Sequence, residues 1–264
     1  MNILDTIVEY KRTEVRKNRS AKPMAELEKS GWFARQTLSL RESLTDPAGT
    51  GIIAEFKRRS PSRGVINDRS DVVDVTTAYT AHGAACLSVL TDENFFGGHR
   101  TDLEKARVNA IPILRKDFMV DEYQVLEARA MGADVILLIA ACLSPGETRR
   151  LALFARSLGL EVLLEIYSEQ ELGHISDETD IVGVNNRDLR TFTVDTDRSI
   201  ALREKIPAGK LAISESGISH AGTIRRLRQA GFSGFLIGEN FMKEADPGAA
   251  FGKFVAELKN GDSL

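Results

Sequence analysis

Cysteine and histidine are scarce in this 264-residue chain, with two of the former and four of the latter. Cys86 and Cys142 stand alone among small or apolar neighbours, which suits reduced, buried thiols in a cytoplasmic protein better than a disulfide or a metal site. His82, His99, His174 and His220 fall at no spacing that would bring two ligands together, so no metal site is expected. A large excess of positive charge is missing too. The formal net charge is −3, and outside the short run Lys57-Arg58-Arg59 there is no basic face of the kind nucleic acid requires. No apolar run reaches membrane-spanning length, and the amino terminus meets Asp5 too soon for a secretory core. A cytoplasmic enzyme or binding protein remains, with no nucleic acid and no membrane among its expected partners.

What the chain does contain is a repeat. A chain of this length accommodates one large α/β barrel or two ordinary domains, and the pattern from Ile52 onward chooses between them. Short aliphatic runs span 52–57, 86–91, 113–118, 135–140, 162–166, 181–186, 211–216 and 234–238. Between them lie segments of helical periodicity, such as 121–131 with Val125, Leu126 and Ala130, and 145–158 with Leu151, Phe154 and Ala155. Strict alternation predicts parallel strands joined by right-handed crossovers, and eight even units predict a (β/α)8 TIM barrel. A doubly wound open sheet is the alternative and would need a reversal of strand order. Residues 1–50 stand outside the repeat as a helical N-terminal extension, and Pro47-Ala48-Gly49-Thr50-Gly51 marks the barrel entry. In that extension Ile3, Leu4, Ile7, Val8 and Val15 form an apolar stripe against Asp5, Lys11, Arg12 and Arg16, and the charges from Arg12 to Arg19 read as a solvated face. No long linker interrupts the chain, so 1–264 is expected to form a single domain.

The first strand carries the strongest chemical signal. Side chains alternate along a strand, so Glu55 and Lys57 project to one side and Ala54 and Phe56 to the other. Opposite charges on an otherwise apolar strand suit chemistry better than stability. Barrel enzymes gather their chemistry at the carboxyl ends of the strands, where this sequence also places Lys116, Glu165, Asn185, Arg187, Ser214 and Ser216. Two carboxylates, two lysines, an amide and a hydroxyl at one mouth could serve general acid and base catalysis on a polar substrate. Parity turns Arg115 and Asp117 away from that mouth, and they and Asp188 read as surface charges. Gly217 and Gly238 follow strands seven and eight, the usual phosphate loops of the fold. Gly231-Phe232-Ser233-Gly234 precedes a strand and therefore cannot be a dinucleotide fingerprint.

Together these segments resemble the indole-3-glycerol-phosphate synthase family of tryptophan biosynthesis. The similarity is carried by Ile53-Ala54-Glu55-Phe56-Lys57-Arg58-Arg59-Ser60-Pro61-Ser62, Leu90-Thr91-Asp92-Glu93-Asn94-Phe95-Phe96-Gly97-Gly98 and Leu114-Arg115-Lys116-Asp117-Phe118. It continues through Leu164-Glu165-Ile166, Gly183-Val184-Asn185-Asn186-Arg187-Asp188-Leu189, Ser214-Glu215-Ser216-Gly217-Ile218 and Leu236-Ile237-Gly238-Glu239. The sequence departs from the family pattern at Asp188, where asparagine is common, and at Asn240-Phe241, where a small residue often follows Gly-Glu. The resemblance implies a cofactor-independent carboxy-lyase acting on a phosphorylated small molecule, with an N-terminal extension packed against the barrel top, and the protein is expected to be a monomer. It implies Lys116 as the acid of ring closure, Lys57 as the anchor of the substrate carboxylate, Glu165 as the base, Glu55 as their partner in proton exchange, and Asn185 and Ser216 as binders of hydroxyl or carboxylate groups. Phe96, Phe118, Leu137, Ile139 and Leu189 match the family's contacts to the aromatic ring, and Ser60, Arg187, Glu215, Gly217, Gly238 and Glu239 are further substrate-binding candidates. Phosphoribosylanthranilate isomerase, a neighbouring barrel, would show a cysteine where this first strand ends in Glu55 and Lys57. A non-catalytic barrel would be expected to have lost one of Glu55, Lys57, Lys116 or Glu165.

Overall fold

A computed structural model describes residues 3–188 and 191–261. Its eight parallel strands are β1 (Ile52–Phe56), β2 (Cys86–Leu90), β3 (Ile113–Lys116), β4 (Val135–Ile139), β5 (Glu161–Ile166), β6 (Ile181–Asn185), β7 (Leu211–Glu215) and β8 (Gly234–Ile237). They follow one another around a closed barrel, and β1 completes the ring by pairing with β8 through Ile52↔Phe235, Ile53↔Leu236 and Ala54↔Ile237. The open-sheet alternative is thereby excluded. Seven strands stop one or two residues short of the predicted ends. Lys57, Asn186 and Ser216 each lie just beyond their strand.

Alternation sorts the strands into two apolar shells. Ile52, Ala54 and Phe56 of β1 join Leu87, Val89, Ile136, Leu138 and Val162 in the layer between strands and helices. Ile53, Leu114, Val135, Leu137, Leu163, Ile181 and Ile213 fill the barrel interior. Both shells are fully buried, as a parallel sheet covered on both faces requires.

The extension closes both ends of this interior. At the amino-terminal end, Leu40 and Leu44 of the short helix Leu40–Thr45 join the inner core, and Glu161 at the start of β5 accepts hydrogen bonds from the Leu40 and Arg41 amides. At the opposite end, helix α1 (Ile3–Ala21) lays Ile3, Leu4 and Ile7 against the mouth. The extension was expected only at the top; its second half plugs the bottom.

Three of the charge assignments need correction. Arg115 and Asp117 are 3% and 2% exposed, so parity turned them towards the helices and not into water. There they form an internal network, with Arg115 bridging Asp117 at 3.1 Å and Glu127 at 3.5 Å. Lys11, placed on the polar side of α1, is fully buried and reaches into the same network. The remaining charges from Arg12 to Arg19 do face solvent or its margin. Ser214 also points outward, exchanging hydrogen bonds with the Asn186 amide, and has no part in the mouth. Asp188 is only partly exposed, and its carboxylate accepts a hydrogen bond from the Tyr167 hydroxyl at 3.3 Å.

Candidate active site

At the carboxyl ends of the strands the barrel opens into a cavity of about 550 Å³. Its floor is polar. Glu55 and Lys57, two residues apart on one face, meet at 2.6 Å. Glu55 also accepts a hydrogen bond from Ser88, its register partner on β2, at 3.5 Å. Lys116, at the end of β3, stands 3.8 Å from Glu165 of β5, whose other oxygen accepts a hydrogen bond from the Asn185 amide at 3.0 Å.

The electrostatics separate two of the buried carboxyl groups, Glu55 and Glu215. Burial alone would raise the Glu55 carboxyl, but Lys57 and then Lys116 outweigh it and hold the group below its ordinary value, so Glu55 is ionised. Burial would lower Lys116, yet Glu165, Glu55 and Glu215 together push it up to about 12 and keep it an ammonium. Glu215 differs in kind. Burial, followed by repulsion from Glu165, raises it to about 8 against the pull of Lys116, which favours the neutral carboxyl. Its Oε1 is buried and has no hydrogen-bond partner among the described residues. The site therefore sets the pairs Lys57–Glu55 and Lys116–Glu165 beside a third carboxyl group whose titration is raised.

Two glycines make room for these acids. A Cβ on Gly183 would lie 2.0 Å from Glu215 Oε1, and one on Gly238 would lie 2.5 Å from Glu55 Oε1. Both carboxyl groups thus lie flat across bare backbone of the neighbouring strand, and any side chain there would displace them.

The mouth divides by polarity. Phe96 and Phe118, their rings 5.9 Å apart, line one side with Ile139, Leu90 and the three residues of α1. On the other side the loops after β7 and β8 bring Ser216, Gly217, Gly238 and Glu239 to the rim. Ser216 adopts φ +71°, unusual for a residue with a side chain, and the buried Asn186 amide holds its carbonyl at 2.7 Å. Gly217 follows at φ +70°, pressed against Val194. Glu239 accepts Arg63 at 3.0 Å and Arg187 at 3.6 Å, so two guanidinium groups and Lys243 stand at this rim. Such a rim offers backbone N–H groups and positive charge to an anion.

Of the expected site residues, Ser60 and Arg187 line the cavity with the groups already described. Leu137 does not. It lies one strand repeat below Ile139, on the same face but inside the closed core, and is 1% exposed. Leu189 lies outside the described residues. Sequence reasoning missed Arg63, which sits on a small antiparallel hairpin pairing Arg59–Ser60 with Gly64–Val65, too short to leave a periodic trace. It also missed Asn186, whose outward parity concealed its hold on Ser216. Among the described residues neither cysteine lines the cavity, and no helix is long and apolar enough to cross a membrane.

Comparison with known proteins bears on the family and the fold. The family model described as indole-3-glycerol phosphate synthase matches residues 4–254. A curated indole-3-glycerol phosphate synthase of Bacteroides thetaiotaomicron is 44% identical over 98% of this chain and 99% of its own. Another, of Laribacter hongkongensis, is 45% identical over 97% and 99%. Among solved structures, 3-hexulose-6-phosphate synthase of Salmonella typhimurium superposes with a TM-score of 0.63 at 12% identity, covering 80% of this chain and 99% of that one. A chain of the tryptophan synthase complex of Pyrococcus furiosus does so at 0.61 and 16% identity, covering 80% and 98%. At such identities the solved structures bear on the fold alone.

Proposed function

This chain belongs to the indole-3-glycerol phosphate synthase family, and from that premise we propose how its residues divide the reaction. The enzyme converts 1-(2-carboxyphenylamino)-1-deoxyribulose 5-phosphate into indole-3-glycerol phosphate, carbon dioxide and water, a step of tryptophan biosynthesis. The ring carbon bearing the carboxylate attacks the ketone carbon, the carboxylate leaves as carbon dioxide, and water is then lost across the new five-membered ring.

One arrangement carries the assignment: two lysines, each paired with its own glutamate, line one cavity with Glu215, whose carboxyl burial and Glu165 hold above its ordinary value. In this reading Lys116 gives its proton to the ketone oxygen as the carbon–carbon bond forms, and Glu165 beside it removes the ring-methylene proton during dehydration. Lys57 holds the substrate carboxylate within attack distance and supplies a proton to the departing hydroxyl, and Glu55 exchanges protons with it. Glu215, as a neutral acid, donates a hydrogen bond to a substrate oxygen together with Asn185 and Ser216. The arene lies between Phe96, Phe118 and Ile139, and the phosphate sits at the loops of Ser216–Gly217 and Gly238–Glu239, where Arg63 and Arg187 turn from Glu239 towards it. Ser60 contacts the substrate from the hairpin after β1.

Because every side chain given a role belongs to this chain, the proposal extends to a monomer, and the extension's buried contacts at both barrel ends favour one folding domain over residues 1–264. The biosynthetic role is consistent with a cytoplasmic location. Stopped-flow detection of indole fluorescence from the purified protein tests the roles. Lys116→Met should lower turnover by at least about 10²-fold while substrate affinity stays within about tenfold, because the lost proton donor acts mainly in the transition state. Unchanged turnover in that variant would refute the assignment.

A further inference from the structure

Lys11 is a fully buried lysine on α1, remote in sequence from every residue assigned to the chemistry. Its ammonium lies 2.9 Å from Asp92, 2.9 Å from Asp117 and 3.0 Å from Glu14. Burying so many charges is an unfavourable route to stability, since each ion must be stripped of water before its partners can compensate. The placement of the two aspartates gives the arrangement a different rationale.

Asp92 caps the short helix Glu93–Phe96, accepting hydrogen bonds from the Phe95 amide at 2.7 Å and the Phe96 amide at 3.0 Å. Asp117 accepts the Phe118 amide at 2.9 Å and, through its other oxygen, the Thr91 hydroxyl at 2.6 Å. Each aspartate thus grips the backbone of one cavity phenylalanine, and Lys11 ties the two grips together. Tyr10, the preceding residue of α1, adds an edge contact to Phe95, with ring centroids 5.6 Å apart. The loops after β2 and β3 have no other cation shared between these two carboxylates among the described residues.

We propose that Lys11 is a positioning residue for ring recognition: it sets the separation of Phe96 and Phe118 through Asp92 and Asp117, and so fixes the slot that accepts a planar aromatic ring. The inference rests on the preceding assignment of the arene to these two phenylalanines. Lys11 touches no substrate atom; its effect passes through two backbone amides. Without its charge, Asp92 and Asp117 repel one another across a dry interior and the slot widens. The phosphate loops, on the opposite side of the mouth, are left as they were.

The test compares Lys11→Met, Lys11→Arg and Phe118→Leu by steady-state kinetics, with competition by two probes, anthranilate for the ring slot and inorganic phosphate for the opposite rim. Lys11→Met should raise KM and weaken anthranilate about tenfold, with kcat within about threefold and phosphate inhibition unchanged, as expected when a contact made alike in the ground and transition states is loosened. Lys11→Arg, which keeps the charge, should recover most of the anthranilate affinity. Should Lys11→Met fail to fold, Asp92→Asn keeps an oxygen for the Phe96 amide but breaks the ion pair, and carries the same expectation. A fall in melting temperature with KM and both probes unaltered would reduce Lys11 to a structural tie and overturn the proposal. Equal weakening of both probes would overturn it as well, by showing a general loosening of the mouth. If Phe118→Leu leaves anthranilate binding untouched, the arene assignment itself is wrong, an outcome separate from the behaviour of Lys11.

Discussion

Replacing Glu215 by glutamine should make the protein more stable and less active, and the size of the gain should depend on pH. The Glu215 carboxyl has an ordinary value of 4.5 in the unfolded chain and is raised to about 8 in the fold, by burial and then by Glu165. A raised folded value means that its contribution is fully present below about 4.5, is lost progressively as pH rises, and levels off above about 8. At 1.36 kcal/mol per unit, the folded wild type forfeits about 3 kcal/mol by pH 7 and on the order of 5 kcal/mol above pH 8 relative to a group that cannot ionise. Glutamine is such a group and keeps the shape that lies across Gly183. Urea unfolding near pH 5, 7 and 9 should therefore find the two proteins within about 1 kcal/mol at the acid end and diverging in favour of the variant as pH rises. A stability difference that ignores pH, or one that turns towards the wild type in alkali, would refute the protonated carboxyl. A gain in stability joined to a loss of turnover would mark Glu215 as a group retained for chemistry at the expense of the fold.

Glu165→Gln should separate the two halves of the reaction: in a single turnover carbon dioxide should appear before indole fluorescence, with the second step slowed by roughly 10²-fold or more. Simultaneous release at one reduced rate would move Glu165 to ring closure and pass the dehydration to Glu55 or Lys57. Gly238→Ala should drive a methyl group into Glu55, lowering turnover by about 10²-fold and weakening competition by inorganic phosphate while the folded content by circular dichroism is kept. Turnover within about twofold of wild type would show that the carboxyl can move aside without consequence.

The barrel was legible because its strands are short, evenly spaced and buried on both faces, and a period of two also delivered Glu55, Lys57, Lys116 and Glu165 to one mouth. The same parity misled where it turned charge away from the mouth. Arg115 and Asp117 face outward, but outward in a barrel means towards helices, and α1 brings Lys11 to meet them. Nothing in the local sequence of α1 distinguishes Lys11 from its solvated neighbours, since the two aspartates it joins lie on β2 and β3 loops some eighty and a hundred residues further on. Leu137 was drawn into the site by resemblance, and only the depth of the strand repeat separates it from Ile139. The Ser216 backbone, held by Asn186 in a left-handed conformation, has no signature in a run of ordinary strand residues.

The pairing of β1 with β8 also governs when the molecule can begin to work. Ile52 and Phe235 are register partners separated by on the order of 180 residues, a long loop to close and a slow kind of contact to form. During synthesis, β2 can dock on one side of β1 early, but the other edge, with Ile52, Ile53 and Ala54, must wait unpaired until β8 leaves the ribosome. That edge is where a nascent chain is most exposed to wrong partners. Glu55 meets Gly238 only when the ring shuts, so the cavity floor is among the last parts of the protein to exist, and no shortened chain ending before β8 should hold a fraction of the activity.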